Sequence, residues 1–213
     1  MDAAERGPEQ LIERLADRLC HDVSSSAQAI ASGLDLLREA AGPAERDEAV
    51  AFLAEAVTAQ QLKVRYARRA YGPAGQGIQT SELKELAESL YVDLRPTLSW
   101  DVAPAVLEPT AARALLILLQ IAADALAVGG VARASARVGP DRLLVTVDAD
   151  GPRATVRDEV RSGLAGAPFE GGLGGRWVQG AFVAMLAASA GGTVSVDARD
   201  GGVRLALSLP QRA

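Results

Sequence analysis

The chain has 213 residues, a formal net charge of −5, 49% hydrophobic residues and only 4% aromatic ones. That length fits one compact domain or two small ones, with a core built from Leu, Val, Ile and Ala. The charge excludes a surface dominated by phosphate-binding cations, and so a nucleic-acid partner; the single cysteine, Cys20, excludes intrachain disulfides and cysteine-clustered zinc and fits a reducing cytoplasm.

Met1 to Gln10 is charged and lacks the apolar h-region of a signal peptide. A first helix is expected from about Pro8 to Ala41, with Gly42-Pro43 as the stop-and-turn signal. Its apolar positions Ile12, Leu15, Leu19, Val23, Ala27, Ile30, Leu34 and Leu37 recur at three- and four-residue steps, marking one face. The chain's one histidine, His21, sits roughly 200° from both Leu19 and Val23. Its neighbours on that opposite side are Arg14, Asp17, Arg18, Ser24, Ser25, Gln28 and Ser32, so the imidazole is expected to face water or a partner. A single imidazole excludes mechanisms that need two, and no metal site is expected.

A second helix is expected from about Ala44 to Tyr71, ending at Gly72-Pro73. Val50, Leu53, Val57, Gln60, Val64, Ala67 and Tyr71 form a heptad seam with one polar member. The short turn makes an antiparallel hairpin, spanning residues 8–72. One hairpin leaves much apolar surface uncovered, whereas two meeting about a two-fold axis close a four-helix bundle, so a homodimer is expected.

Gly72 to Gly77 reads as a linker, and residues 78–210 as a separate α/β domain. Ser81 is the expected cap of a helix to about Tyr91, Thr97–Val102 is a strand, and Thr110 is the expected cap of an apolar helix to Val128. Arg113, Gln120 and Asp124 interrupt that helix, which argues for a buried helix over a membrane span. Val131–Val138 and Leu143–Val147 flank a hairpin turn at Gly139-Pro140-Asp141. A helix over Thr155–Leu164, the glycine run Gly171–Gly175, a helix to Ala190 and strands Thr193–Ala198 and Val203–Leu209 complete the domain. The expectation is an α/β sandwich with three helices over one face of a mixed sheet. Gly129-Gly130, Gly191-Gly192 and Gly201-Gly202 read as turns, and Trp100 and Trp177 as core anchors.

Antiparallel pairing places residue n of the first helix roughly level with residue 85 − n of the second, and so sets His21 near Val64, beside Lys63, Arg65, Arg68 and Arg69. An exposed imidazole, largely neutral near pH 7, beside cations suits phosphoryl transfer. Ser24 and Ser25 are small enough to let another protein's active site approach. An ordinary surface histidine remains the alternative on these grounds.

Cys20-His21-Asp22-Val23 with Ala29-Ile30, Gly33-Leu34 and Leu36-Leu37 resembles the phosphoacceptor helix of the ChpT-type bacterial histidine phosphotransferases. The likeness continues through residues 63–72 (KVRYARRAYG), Trp100, residues 115–130 (LLILLQIAADALAVGG) and Val178-Gln179, covering Leu11 to Leu209. Such helices often carry a proline where Ser26 stands. The resemblance implies a homodimeric hairpin carrying phosphohistidine at His21, followed by a degenerate histidine-kinase-like (GHKL/Bergerat) α/β sandwich. It also implies that Asp22 orients the imidazole or accepts its proton; a solvated acid on a polar face is the alternative. Partners would be receiver domains of a hybrid histidine kinase and of response regulators in cell-cycle signalling.

An active histidine kinase is the rival reading. In kinases, asparagines on the long helix serve the Mg²⁺-nucleotide, and their places fall on Gln120 and Asp124. The Asp-x-Gly-x-Gly adenine box falls on residues 149–153, which puts Ala149 at the adenine-reading Asp and Arg153 at the second glycine; using Asp150 instead leaves Pro152 at a glycine place. Asp124, Asp150 and Gly151 therefore read as a vestigial nucleotide site, and no ATP binding is expected. The glycine run at Gly171–Gly175 is weak evidence for phosphate binding.

The expectation is a cytoplasmic histidine phosphotransferase with no cofactor of its own, Mg²⁺ coming from the receiver. Arg18, Ser24, Ser25, Gln28, Lys63, Arg65, Arg68 and Arg69 are the candidate receiver contacts. A dimeric scaffold without chemistry is the third alternative.

Overall fold

A computed structural model describes residues 6–168 and 176–211. Helices α1 (Arg6–Glu39) and α2 (Pro43–Tyr71) form the antiparallel hairpin. Proline at the first position of α2 has the φ a helix start needs and lacks an N–H that would go unpaired there. The Glu45 carboxylate reaches back to accept the Ala41 N–H at 2.7 Å, tightening the turn. Lower down, a Cβ on Gly33 would meet Leu53 Cδ2 at 2.8 Å, so the missing side chain lets the two helices approach.

The apolar seams are wider than one hairpin can bury. Toward α2, α1 turns Leu15, Arg18, Asp22, Ser26, Ala29, Gly33 and Leu37, each at least half-buried. Val23 and Leu34 stay exposed, as do Val50, Val57 and Val64 of the second seam, while Leu53, Gln60 and Ala67 turn inward. At 100° per residue the exposed sets fall on one flank of the hairpin at matching levels.

The second part begins with a two-stranded antiparallel ribbon, β1 (Ile78–Gln79) with β3 (Val106–Leu107). Between them lie α3 (Thr80–Tyr91) and β2 (Thr97–Val102). Then come α4 (Pro109–Ala125), β4 (Val131–Val138), β5 (Arg142–Asp150), α5 (Asp158–Leu164), α6 (Trp177–Ser189), β6 (Thr193–Arg199) and β7 (Gly202–Pro210). The five-stranded sheet runs β2-β4-β5-β7-β6, with β2 parallel to β4 and the other pairs antiparallel.

Alternation decides which face of that sheet is covered. Ala132, Ala134 and Ala136, then Leu143, Val145, Val147 and Ala149, then Val203, Leu205, Leu207 and Leu209 all point to one buried side. Helices α3, α4 and α6 pack there, the three expected over one face, and α5 packs mainly on α6. The opposite face carries a ladder of charges, including Arg204 on Asp148 at 2.7 Å and Arg199 on Asp148 at 2.6 Å. Burial works against the Asp148 carboxylate, yet the two guanidiniums hold its pKa below the usual value.

Three helix starts differ from expectation. Gln79 and Glu108, not Ser81 and Thr110, occupy the N-cap positions of α3 and α4, because Pro109 takes the first helical place and Thr80 bonds Ala105. α4 stops at Ala125 rather than Val128. Residues 155–157 are not helical, and α5 starts at Asp158, where Asp158 and Glu159 favour a helix N-terminus. No described helix is long and apolar enough to cross a membrane.

Hairpin and sheet domain share a core. Tyr66 and Ala70 of α2 lie in the same buried cluster as α4, with Leu11 and Leu15 of α1 packed against it. The Tyr66 hydroxyl donates to the Leu116 carbonyl at 2.6 Å, and Tyr71 to Gln120 Oε1 at 2.8 Å. Arg113 donates to the carbonyls of Ala70 and Tyr71 and lies 5.2 Å from the Phe182 ring centroid.

Candidate functional site

His21 projects from α1 with its side chain 82% exposed, as the periodicity of the helix requires. Its Nδ1 lies 3.6 Å from Asp22 Oδ1, too long for a hydrogen bond, so the carboxylate stands on the Nδ1 side of the ring. Adjacent helical residues face 100° apart, so this approach is one that spacing alone would not suggest.

Asp22 is itself held. Its carboxylate is 3.7 Å from Arg18 Nε, and its carbonyl accepts the hydroxyls of Ser25 at 3.0 Å and Ser26 at 3.4 Å. Ser26 is buried, and its hydroxyl also accepts from Lys63 Nζ at 2.8 Å. One hydroxyl thus joins the residue beside the imidazole to an ammonium on the facing helix. Sequence reasoning noted Ser26 only for the proline it replaces.

The expected basic cluster does not stay together. Lys63 reaches the histidine side of the hairpin through Ser26, whereas Arg69 pairs with Glu82 of α3 at 2.6 Å. Arg68 lies one turn from Val64 on the exposed apolar flank, and Arg65 is turned 100° from Val64. Consecutive residues of one helix diverge, so a run of cations in sequence is not a patch in space. Ser24, Ser25 and Gln28 are exposed on the C-terminal side of His21, where its approach is lined by uncharged side chains, while Arg14, Asp17 and Arg18 stand on its N-terminal side.

Below this face, Tyr71 joins hairpin to domain. Burial pushes its phenol up to about 12, and Arg18 and Asp22 both act on it electrostatically. Gln120 Oε1 accepts from Tyr71 and, at 3.4 Å, from the buried Gln179. Sequence placed Tyr71 as the last member of the heptad seam but gave it no role at this junction, and it passed over Tyr66.

The residues matching a nucleotide site are engaged within the chain. Asp124 forms an ion pair with Arg176 at 3.1 Å. The space they share with Ile121, Thr155, Val156 and Arg157 amounts to about 10 Å³, room for one water. Asp150 lies on the charged face of the sheet, 3.0 Å from Arg133, while Ala149 is buried in the core. A Cβ on Gly151 would sit 2.6 Å from the Gly129 carbonyl, so this glycine serves a close approach of two loops. Arg153 adopts a positive φ of 65°. Gly171–Gly175 lie outside the described residues. Among the described residues no group of three or more His, Cys, Asp or Glu could hold a metal ion.

Comparison with known proteins converges on one family. The family model described as the histidine phosphotransferase C-terminal domain matches residues 80–202. The protein phosphotransferase ChpT of Brucella abortus (strain 2308) is 29% identical over 189 residues, covering 86% of this chain and 88% of that protein. A solved bacterial phosphotransferase superposes with a TM-score of 0.78 at 27% identity, covering 93% of this chain and 95% of that one.

Proposed function

The chain belongs to the histidine phosphotransferase family and acts in phosphotransfer relay; from that premise we propose that His21 is the phosphoacceptor and the chain a carrier between receiver domains. The single observation that carries this reading is the exposed imidazole with the Asp22 carboxylate at its Nδ1 side. The receiver of a hybrid histidine kinase presents an aspartyl phosphate. His21 Nε2 attacks phosphorus in line, the N–P bond forms, and the P–O bond to the receiver's aspartate breaks, returning that carboxylate. A response regulator's receiver then takes the group in reverse order, its aspartate oxygen displacing the imidazole. Asp22 stabilises the positive charge that the ring gains as it attacks.

Lys63, tied to Ser26, is the cation offered to the phosphoryl oxygens, with Arg18, Ser24, Ser25 and Gln28 as the surface the receiver covers and Arg65 as a further candidate contact, while Arg68 falls to the apolar flank. Mg²⁺ belongs to the receiver's acidic pocket, and the chain acts in the cytoplasm. ATP is not its substrate: the place of a metal-nucleotide ligand is taken by the Asp124–Arg176 pair, and the adenine-reading position is the apolar Ala149. The exposed flank of Val23, Leu34, Val50, Val57 and Val64 is covered by a second copy, closing a four-helix bundle.

The test incubates wild type and His21→Ala with γ-labelled ATP alone, then with ATP and a hybrid histidine kinase. Acid-labile label should enter only wild type and only with the kinase present. Label from ATP alone would mean an active kinase. Receiver binding without label in either protein would mean a scaffold.

A further inference from the structure

Tyr71 ends the hairpin with a phenol that belongs as much to the sheet domain as to α2. Its ring lies against Phe182 of α6, with 5.4 Å between the centroids. Its hydroxyl donates to Gln120 Oε1 of α4 at 2.8 Å, and the fully buried Gln179 of α6 donates to the same oxygen at 3.4 Å. Side chains of α2, α4 and α6 thus meet at one amide oxygen. Gln179 Oε1 finds no partner among the described residues, a cost accepted to keep its nitrogen on this cluster. In kinases the place of Gln120 holds an asparagine for the nucleotide; here it serves the junction.

The cluster also reaches the histidine helix. The hairpin register sets Tyr71 level with Arg14, one turn from Arg18 on the inward side of α1. Arg18 is mostly buried, with its side chain 20% exposed. Burial acts most strongly on the Tyr71 phenol; Arg18 is the first of the charges that act on it, ahead of Asp22 and Asp124.

Asp22 is shared between two neighbours. Its Oδ2 stands 3.7 Å from Arg18 Nε, and its Oδ1 stands 3.6 Å from His21 Nδ1. Neither distance is a hydrogen bond, so the carboxylate is poised between guanidinium and imidazole. A guanidinium free to move would close on it to about 2.8 Å, where a charge-assisted pair is strongest, and draw it off the ring.

We propose that Tyr71, Gln120 and Gln179 are positioning residues for His21: by holding the phenol beside Arg18 they keep the guanidinium from closing on Asp22, and so keep the carboxylate by the imidazole. The sheet domain thereby acts on the ring without touching it. The consequence for transfer rests on His21 being the phosphoacceptor; the geometry is measurable without it.

The test uses the full chain with ¹⁵N in its one histidine, so that each ring nitrogen gives a single signal. Spectra are taken at a pH where the imidazole is neutral. Asp22→Asn supplies the reference, a ring without its carboxylate. Tyr71→Phe and Gln120→Met, which conserve packing volume, should move the signals in the direction that Asp22→Asn does. Tyr66→Phe loses a buried hydrogen bond at the same junction and should leave them in place. Phosphoramidate reaches the ring without a receiver, passing its phosphoryl group to the imidazole nitrogen and leaving as ammonia. Its labelling of the chain should slow about threefold in Tyr71→Phe and Gln120→Met, and stay unchanged in Tyr66→Phe. Signals unmoved in both junction variants, or moved equally by Tyr66→Phe, would overturn the proposal. A wild type that neither phosphoramidate nor a phosphorylated receiver labels, with ring signals that still follow the variants, would retire His21 as phosphoacceptor and uphold the positioning.

Discussion

Lys63 Nζ donates to the buried Ser26 hydroxyl at 2.8 Å, and this bond crosses the hairpin one turn below the imidazole. The same hydroxyl leans on the Asp22 carbonyl, so the ammonium and the residue next to His21 are held as one unit. Ser26→Ala removes the bridge and leaves the Lys63 stem free to rotate. Loss of about 1 kcal/mol of stability is expected in denaturant titration, with receiver-to-His21 transfer slowed severalfold. Ser26→Thr retains a hydroxyl and should recover most of the rate. An unchanged transfer rate in Lys63→Met would show that the ammonium takes no part.

The exposed valines predict the oligomer. Burying a valine stabilises by about 1.5–3 kcal/mol, and an unpaired carboxylate there costs more. Val57→Asp with Val64→Asp should therefore run as a monomer in light scattering while keeping its circular dichroism spectrum. A dimer that survives both substitutions would place the interface elsewhere.

The Asp124–Arg176 pair predicts indifference to nucleotide. Mg²⁺-ATP is expected to leave the melting temperature of wild type unchanged. Arg176→Ala should cost about 0–1 kcal/mol, because both partners are more than one-third exposed. It should not confer ATP binding either, since Ala149 offers nothing to read adenine. A nucleotide-dependent rise in melting temperature in either protein would contradict this.

Alkaline pH should unfold the junction between hairpin and sheet domain. Burial raises the phenol pKa values of Tyr66, Tyr71 and Tyr91, that of Tyr71 to about 12. A raised folded value stabilises fully below the ordinary value of 10 and is lost as pH climbs through the folded one. Tyrosinate absorbance above pH 10 should therefore rise together with loss of helical circular dichroism. Ionisation of these phenols in an intact fold would contradict it. Tyr71→Phe should remove part of the steepness.

Local pattern made much of the fold legible. β2 and β4 begin and end where alternation placed them, Gly42-Pro43 turned the hairpin, and the outward face of His21 followed from helical period. What could not be read depends on distance along the chain. Tyr66 bonds a carbonyl fifty residues away, Arg69 leaves the supposed cation patch for Glu82, and Arg176 finds Asp124. Nothing in the neighbourhood of any of these residues announces its partner. The seams of α1 and α2 were legible as apolar, but not which of their members meet the same chain. β1 and β3, two residues each, are too short to show a period.

An imidazole open enough for two different proteins to reach in turn is also open to solvent. A phosphoramidate formed on His21 would stand in water whenever neither partner covers it. Hydrolysis then competes with every onward transfer, and the charged pool drains between encounters. Such a chain serves as a wire rather than a battery, passing current while its partners are at hand and keeping little memory of a signal that has stopped.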